Sequence, residues 1–294
     1  METLCYHYKF CMKYFIGISW FILSLFISSM NDIIGKYVSA SISPLETAFF
    51  RFLFGTLSLV PFILYGGLKS IKTSRPNLHF IRGLFLAIAI FLWIKGLSTS
   101  QVTTATIISF TIPIFILILA PIFLGEKVSL KLWVVTIIGL IGIIITLNPS
   151  DLNFNMDSLL FVVATVLFAS LDIINKKYVI KESMLSMLFY SSLVTTILGL
   201  FPVVINWRVW QMPKATDLFY LMILGAGSNA ILYCLLKAFR LVKASSVAPF
   251  RYLELLFSLG LGYIVFNDLP GYTTYIGALL IIPCSLYIVL QQKI

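Results

Sequence analysis

Arg251 and Glu254 lie three residues apart inside an otherwise apolar run, Ala244 to Phe266. A charge near the centre of a bilayer costs about 2.5 to 3.5 kcal/mol on insertion scales, so such a residue marks a site unless it is merely paired. At helical spacing Val247, Arg251, Glu254, Ser258 and Gly262 fall on one face, which turns both charges toward protein. A carboxylate so placed is a candidate to hold a substrate cation or a coupling proton. The competing reading is an Arg251–Glu254 ion pair at i, i+3 that only orients the helix.

Two further acids sit in apolar surroundings. Asp32 follows Ser24, Ser28 and Asn31 along one side of the first apolar run, and Asp172 lies between Thr165 and Asn175 in a later one. For each, the plainer alternative is an i, i+4 pair, Asp32 with Lys36 and Asp172 with Lys176, the lysines snorkelling to the interface. Gly225, Asn229, Tyr233 and Lys237 recur one turn apart and suit a wet cavity, although Lys237 also fits an interfacial lysine. Trp93, aligned with Ala89, fits a cavity wall or an interfacial aromatic belt. Pro113 and Pro249 interrupt two of the runs, and freed carbonyls at membrane depth survive only beside protein or a cavity.

The residues also exclude chemistry. Cys5, Cys11, Cys234 and Cys284 form no disulfide or metal-site pattern, and Cys5, His7 and Cys11 read as incidental in an N-terminal tail. His7 and His79 read as lying on cytoplasmic segments, and no nucleophile motif or nucleotide-binding loop is present. An enzyme and a cofactor are therefore not expected. A net charge of +10 does not point to nucleic acid, because the basic residues fall mostly in short loops where they act as topology signals.

The elements that must position these residues are membrane helices. The chain is 60% hydrophobic and 11% charged, and several runs reach the roughly twenty residues needed to cross a bilayer. The first is too long for a signal-peptide core and lacks a cleavage site, so it reads as a retained helix. Ten spans are expected, near 14–35, 45–65, 80–98, 102–124, 130–147, 158–178, 185–205, 217–239, 245–266 and 272–290. One set of loops holds fourteen lysines and arginines, Arg82 among them, and the other only Lys36, Arg208 and Lys214. That asymmetry predicts both termini on the cytoplasmic side.

The two halves repeat. Asp32-Ile-Ile-Gly-Lys36 recurs as Asp172-Ile-Ile-Asn-Lys176, Leu59-Val-Pro61 as Leu200-Phe-Pro202, Lys95 as Lys237 and Phe110 as Phe250. Five spans in each half, over residues 1–147 and 148–294, mean that the halves enter the membrane in opposite directions. The expectation is an all-α polytopic membrane protein of two inverted five-helix repeats, with a substrate bound near the midplane between them.

Phe49-Phe-Arg-Phe52, Arg82-Gly83, Gly125-Glu126, Ala248-Pro-Phe-Arg-Tyr252 and Phe266-Asn-Asp268 resemble, in order and spacing, the EamA-type ten-helix branch of the drug/metabolite transporter superfamily. Asn267-Asp268 departs from the Gly-Glu seen in the first half. Within the superfamily the chain is similar to transporters that take up S-adenosylmethionine in rickettsia-like intracellular bacteria. The resemblance implies import across an inner membrane, with export of amino acids or related metabolites as the alternative. For a sulfonium substrate, Glu254 or Asp172 would meet the cation, Trp93, Tyr233 or Tyr252 would offer a ring face, and Arg251 would meet the carboxylate. The expected partners are that small molecule and the lipid bilayer. The sequence carries no signal for an oligomeric state, and a homodimer stays open.

Overall fold

The computed structural model describes residues 2–38, 41–149, 156–205, 210–267, 269 and 271–291, with side chains described between residues 12 and 288. Asp268, Arg208 and Lys293, and the side chains of Cys5, His7, Lys9 and Cys11, lie outside what is described. In chain order the helices are α1 (Glu2–Val38), α2 (Pro44–Gly66), α3 (Pro76–Leu97), α4 (Val102–Ser109), α5 (Ile112–Leu124), α6 (Leu130–Leu147) and α7 (Ser158–Tyr178). They continue with α8 (Met184–Ile205), α9 (Ala215–Leu241), α10 (Ala244–Val247), α11 (Leu253–Phe266) and α12 (Tyr272–Gln291).

Among the described residues nine helical stretches are long and apolar enough to cross a membrane, and the tenth, Tyr272–Ile288, is shorter. Mean hydropathy of +1.02 forbids burying so much apolar surface in one soluble core. The helices instead turn large side chains outward, among them Leu64, Tyr65, Ile122, Phe201 and Ile264. Water would penalise such a surface, whereas hydrocarbon does not. The chain is a multi-pass membrane protein.

Contacts display the repeat. Thr56 on α2 and Thr196 on α8, which are 140 residues apart, meet hydroxyl to hydroxyl at 3.3 Å. A residue can touch its own counterpart only on the axis that relates the two copies, so a pseudo-two-fold axis passes between α2 and α8. The flanking glycines obey the same operation. Gly83 of α3 packs on Ser191 and Val194 of α8, and Gly225 of α9 packs on Arg51 and Phe54 of α2. A Cβ at Gly225 would lie 2.5 Å from the backbone nitrogen of Gly55, so only glycine permits this crossing.

Two of the spans are broken. α4 stops at Ser109 and α5 begins at Ile112 with Pro113 in its first turn. In the second half, α10 gives way to a 3-10 stretch, Ala248–Tyr252, which contains Pro249 and leads into α11. Proline lacks the N–H that an unbroken helix needs, so the breaks fall at the prolines. The spans end alike too: Gly125 (φ 67°) and Asn267 (φ 56°) both adopt the left-handed conformation after the last helical residue. Asparagine tolerates that region better than other non-glycine residues, which explains how it stands where the first half has glycine.

Candidate functional site

The 3-10 stretch decides where the two charges of the ninth span point. It advances with 3.0 residues per turn rather than 3.6, which shifts the phase between Arg251 and the helix that follows. Arg251 Nη2 donates to Asp172 Oδ2 on α7, forming a salt bridge that is largely shielded from solvent. Glu254, in the first turn of α11, lies beside Ser28 of α1. Its backbone carbonyl accepts from the Ser29 hydroxyl at 3.1 Å. The i, i+3 pairing of Arg251 with Glu254 is thus not the arrangement found, although the two remain within electrostatic reach.

Asp32 also joins this group. It lies within reach of Glu254 on α11 and of Arg51 on α2. The i, i+4 pairs that the sequence allowed do not form among the described residues. Lys36 Nζ lies 4.0 Å over the Phe266 ring, and Lys176 Nζ donates to the Phe239 and Val242 carbonyls at 2.6 Å each. Asp32 keeps exposed surface while Glu254, Arg51 and Arg251 are half-buried, so the group is not sealed inside the helix packing. A carboxylate turned to lipid would carry the full cost of burial in hydrocarbon.

Three acids and two arginines from α1, α2, α7 and the broken ninth span therefore converge. The frame is symmetric, but the charges are not. At an offset of 140, Arg51 corresponds to Ser191 and Arg251 to Thr111, neither of them charged. The arrangement can grip both a cationic and an anionic group of one ligand. Among the described residues no group of three or more histidines, cysteines, aspartates and glutamates could hold a metal.

The other residues expected at the site have surroundings of their own. Tyr252 is buried against Phe110, and its ring fills the notch that Gly139 leaves in α6. Asn229 is buried and used as a bracket: its Nδ2 donates to the Gly55 carbonyl at 2.6 Å and to Ser58 at 3.0 Å, and its Oδ1 accepts from Ser192. Tyr233 is exposed and Lys237 half-buried, both beside Trp20, with Lys237 Nζ 5.3 Å from the Tyr233 ring centre. Residues four apart drift by about 40° per step, so a four-residue stripe leaves one face within three steps. Trp20 precedes Asp32 by twelve residues, about 18 Å along α1, which separates this aromatic pair from Asp32. Trp93 packs edge-on against Phe161 in a cluster with Ala105 and Ile108.

Several charged residues act as buried braces outside the site. Arg82 is buried, not a loop charge, and donates from Nε to Asn175 Oδ1 at 3.0 Å and from Nη1 to the Met187 carbonyl at 3.0 Å. His79 is likewise buried, 3.4 Å from Glu182, which also accepts from Thr73 at 2.9 Å. Glu126 accepts from the Ala244 and Ser245 backbone N–H groups at 3.0 and 2.9 Å and from the Ser245 hydroxyl. It thereby satisfies the free amides opening the ninth span. Arg240 donates to the Val179 carbonyl at 3.1 Å. Together with Lys176 these bonds tie the end of α7 to the turn between α9 and α10.

Known proteins place this architecture. The chain is 49% identical over 280 residues to a protein of Rickettsia bellii named S-adenosylmethionine uptake transporter, covering 95% of each. It is 49% identical to the protein of the same name from Rickettsia conorii, covering 95% of this chain and 94% of that one. A crystal structure superposes with a TM-score of 0.82 over 96% of this chain and 98% of the other at 16% identity, which shows a shared fold. The model of the EamA-like transporter family matches twice, over residues 15–148 and 156–290. The chain belongs to the EamA-like transporter family.

Proposed function

We propose that this chain is a secondary transporter that imports S-adenosylmethionine across a bacterial inner membrane. The observation that carries the reading is the meeting of Asp32, Asp172 and Glu254 with Arg51 and Arg251 between the helices. S-adenosylmethionine bears a sulfonium, an ammonium and a carboxylate, so its recognition requires both signs of charge in one place. The names of the rickettsial relatives narrow the ligand class to this one. Glu254 is assigned to the sulfonium, and the Asp172–Arg251 pair holds the broken span in place. Trp93, Tyr233, Tyr252, Asn229 and Lys237 take supporting roles in packing rather than ligand contact.

Cells expressing the chain should accumulate labelled S-adenosylmethionine above an empty-vector control, with excess unlabelled compound competing. S-adenosylhomocysteine, which keeps the adenosyl and amino-acid ends but lacks the positive sulfur, should compete more weakly. Equal competition would remove the sulfonium from recognition. No uptake by folded protein in the membrane would sink the assignment.

Orientation is proposed from the loop charges, with both termini cytoplasmic. In a cysteine-free version, single cysteines at the exposed positions Ser74 and Lys181 should be protected from an impermeant thiol reagent in intact cells. One at Met212, in the exposed segment before α9, should react. Asn153 would probe the same side but lies outside the described residues. The opposite labelling pattern would invert the topology.

A further inference from the structure

The two arginines of the site are not equivalent. Arg251 is neutralised by its salt bridge to Asp172, and its Nε is buried without a partner. Arg51 differs. Its Nε donates to the Ser228 hydroxyl, and Ser228 in turn donates to the Leu224 carbonyl at 2.7 Å, so the guanidinium is fixed at its root. That is its one hydrogen bond among the described residues, and its two terminal nitrogens are not among the buried unpartnered atoms. They keep accessible surface. Asp32 lies within electrostatic reach of Arg51 but makes no ion pair with it.

An arginine anchored through Nε presents its two terminal N–H groups as a flat fork, the geometry that accepts both oxygens of a carboxylate. We propose that Arg51 is the specificity residue that binds the α-carboxylate of an amino-acid substrate, with Asp32 beside it toward the α-ammonium. The residue assigned to the carboxylate on sequence grounds, Arg251, positions the broken span instead. The inference rests on the proposed transport of S-adenosylmethionine and names which end of that molecule each side of the site holds.

The test compares two competitors against uptake of labelled S-adenosylmethionine: the unlabelled compound and its decarboxylated form, which keeps the adenosyl, sulfonium and amine groups. The wild type should prefer the carboxylated competitor by roughly tenfold to a hundredfold, the scale of a charge-assisted contact. Arg51→Gln should bring the ratio close to one while the protein still reaches the membrane, and Arg51→Lys should keep part of it. Should Arg51→Gln abolish measurable uptake, the same ratio is read from ligand-dependent thermal stabilisation of the purified variant. Arg251→Gln should weaken both competitors alike. A ratio unchanged in Arg51→Gln, or lost in Arg251→Gln instead, overturns the inference while leaving the transport reading intact. Failure of the wild type to bind or carry S-adenosylmethionine overturns both.

Discussion

Asp172→Asn is expected to remove uptake and to lower the stability of the folded chain by about 3 to 5 kcal/mol, the cost of leaving a buried charge without its partner. Arg251 has no second ion-pair partner among the described residues, so the unpaired guanidinium must either pull water inward or distort the 3-10 stretch that carries it. Labelled uptake reads the first effect and thermal melting in detergent the second. Asp172→Ala should be at least as damaging. The exchanged pair Asp172→Arg with Arg251→Asp should recover stability well before it recovers transport. A melting temperature unchanged in Asp172→Asn would show that the pair contributes nothing to the ninth span.

Glu254→Gln should reduce uptake on the order of a hundredfold with normal amounts of protein in the membrane, the scale of losing one charged contact of about 2 to 3 kcal/mol. The substitution keeps shape and an accepting oxygen beside Ser28, so folding should be spared. The sequence allowed a purely structural role in which Arg251 was the partner. Under that reading, the double change Arg251→Gln with Glu254→Gln would restore activity. Because Arg251 is engaged by Asp172 instead, the double variant should be no better than the worse single one. Restoration would return Glu254 to scaffolding.

Hydropathy made the spans legible, because crossing hydrocarbon demands long apolar runs whatever the ligand. The repeat was legible in Asp32-Ile-Ile-Gly-Lys36 and its copy, and so were the acids, since a charge inside an apolar run stands out. Arg51 lies within a span as Arg251 does, and only its hydrogen bond to Ser228, 177 residues away, marks it as a site residue. Arg82 and His79 read as loop residues, because a polar residue near a span end counts equally well as a topology signal, and burial alone separates the two cases. Glu126 caps a helix that begins 118 residues later, so no local pattern pointed to it. The break at Pro249 was visible, but its consequence was not. A change from 3.6 to 3.0 residues per turn re-aims every side chain beyond it, and no helical wheel drawn across the stretch survives that.

The hydroxyl contact between Thr56 and Thr196 has a mechanical meaning. When two halves of one design exchange conformations, the whole maps onto its inverted self, and points on the axis stay where they are. The α2–α8 crossing is thus the fulcrum of any such exchange, and displacement grows with distance from it. The same mapping makes the two exchanged forms degenerate in energy for a perfectly repeated sequence. Every unrepeated residue is then a weight on one arm of the balance. Arg51 and Arg251, matched by the uncharged Ser191 and Thr111, are such weights, so they bias which form rests lower and how hard a substrate must push to tip it.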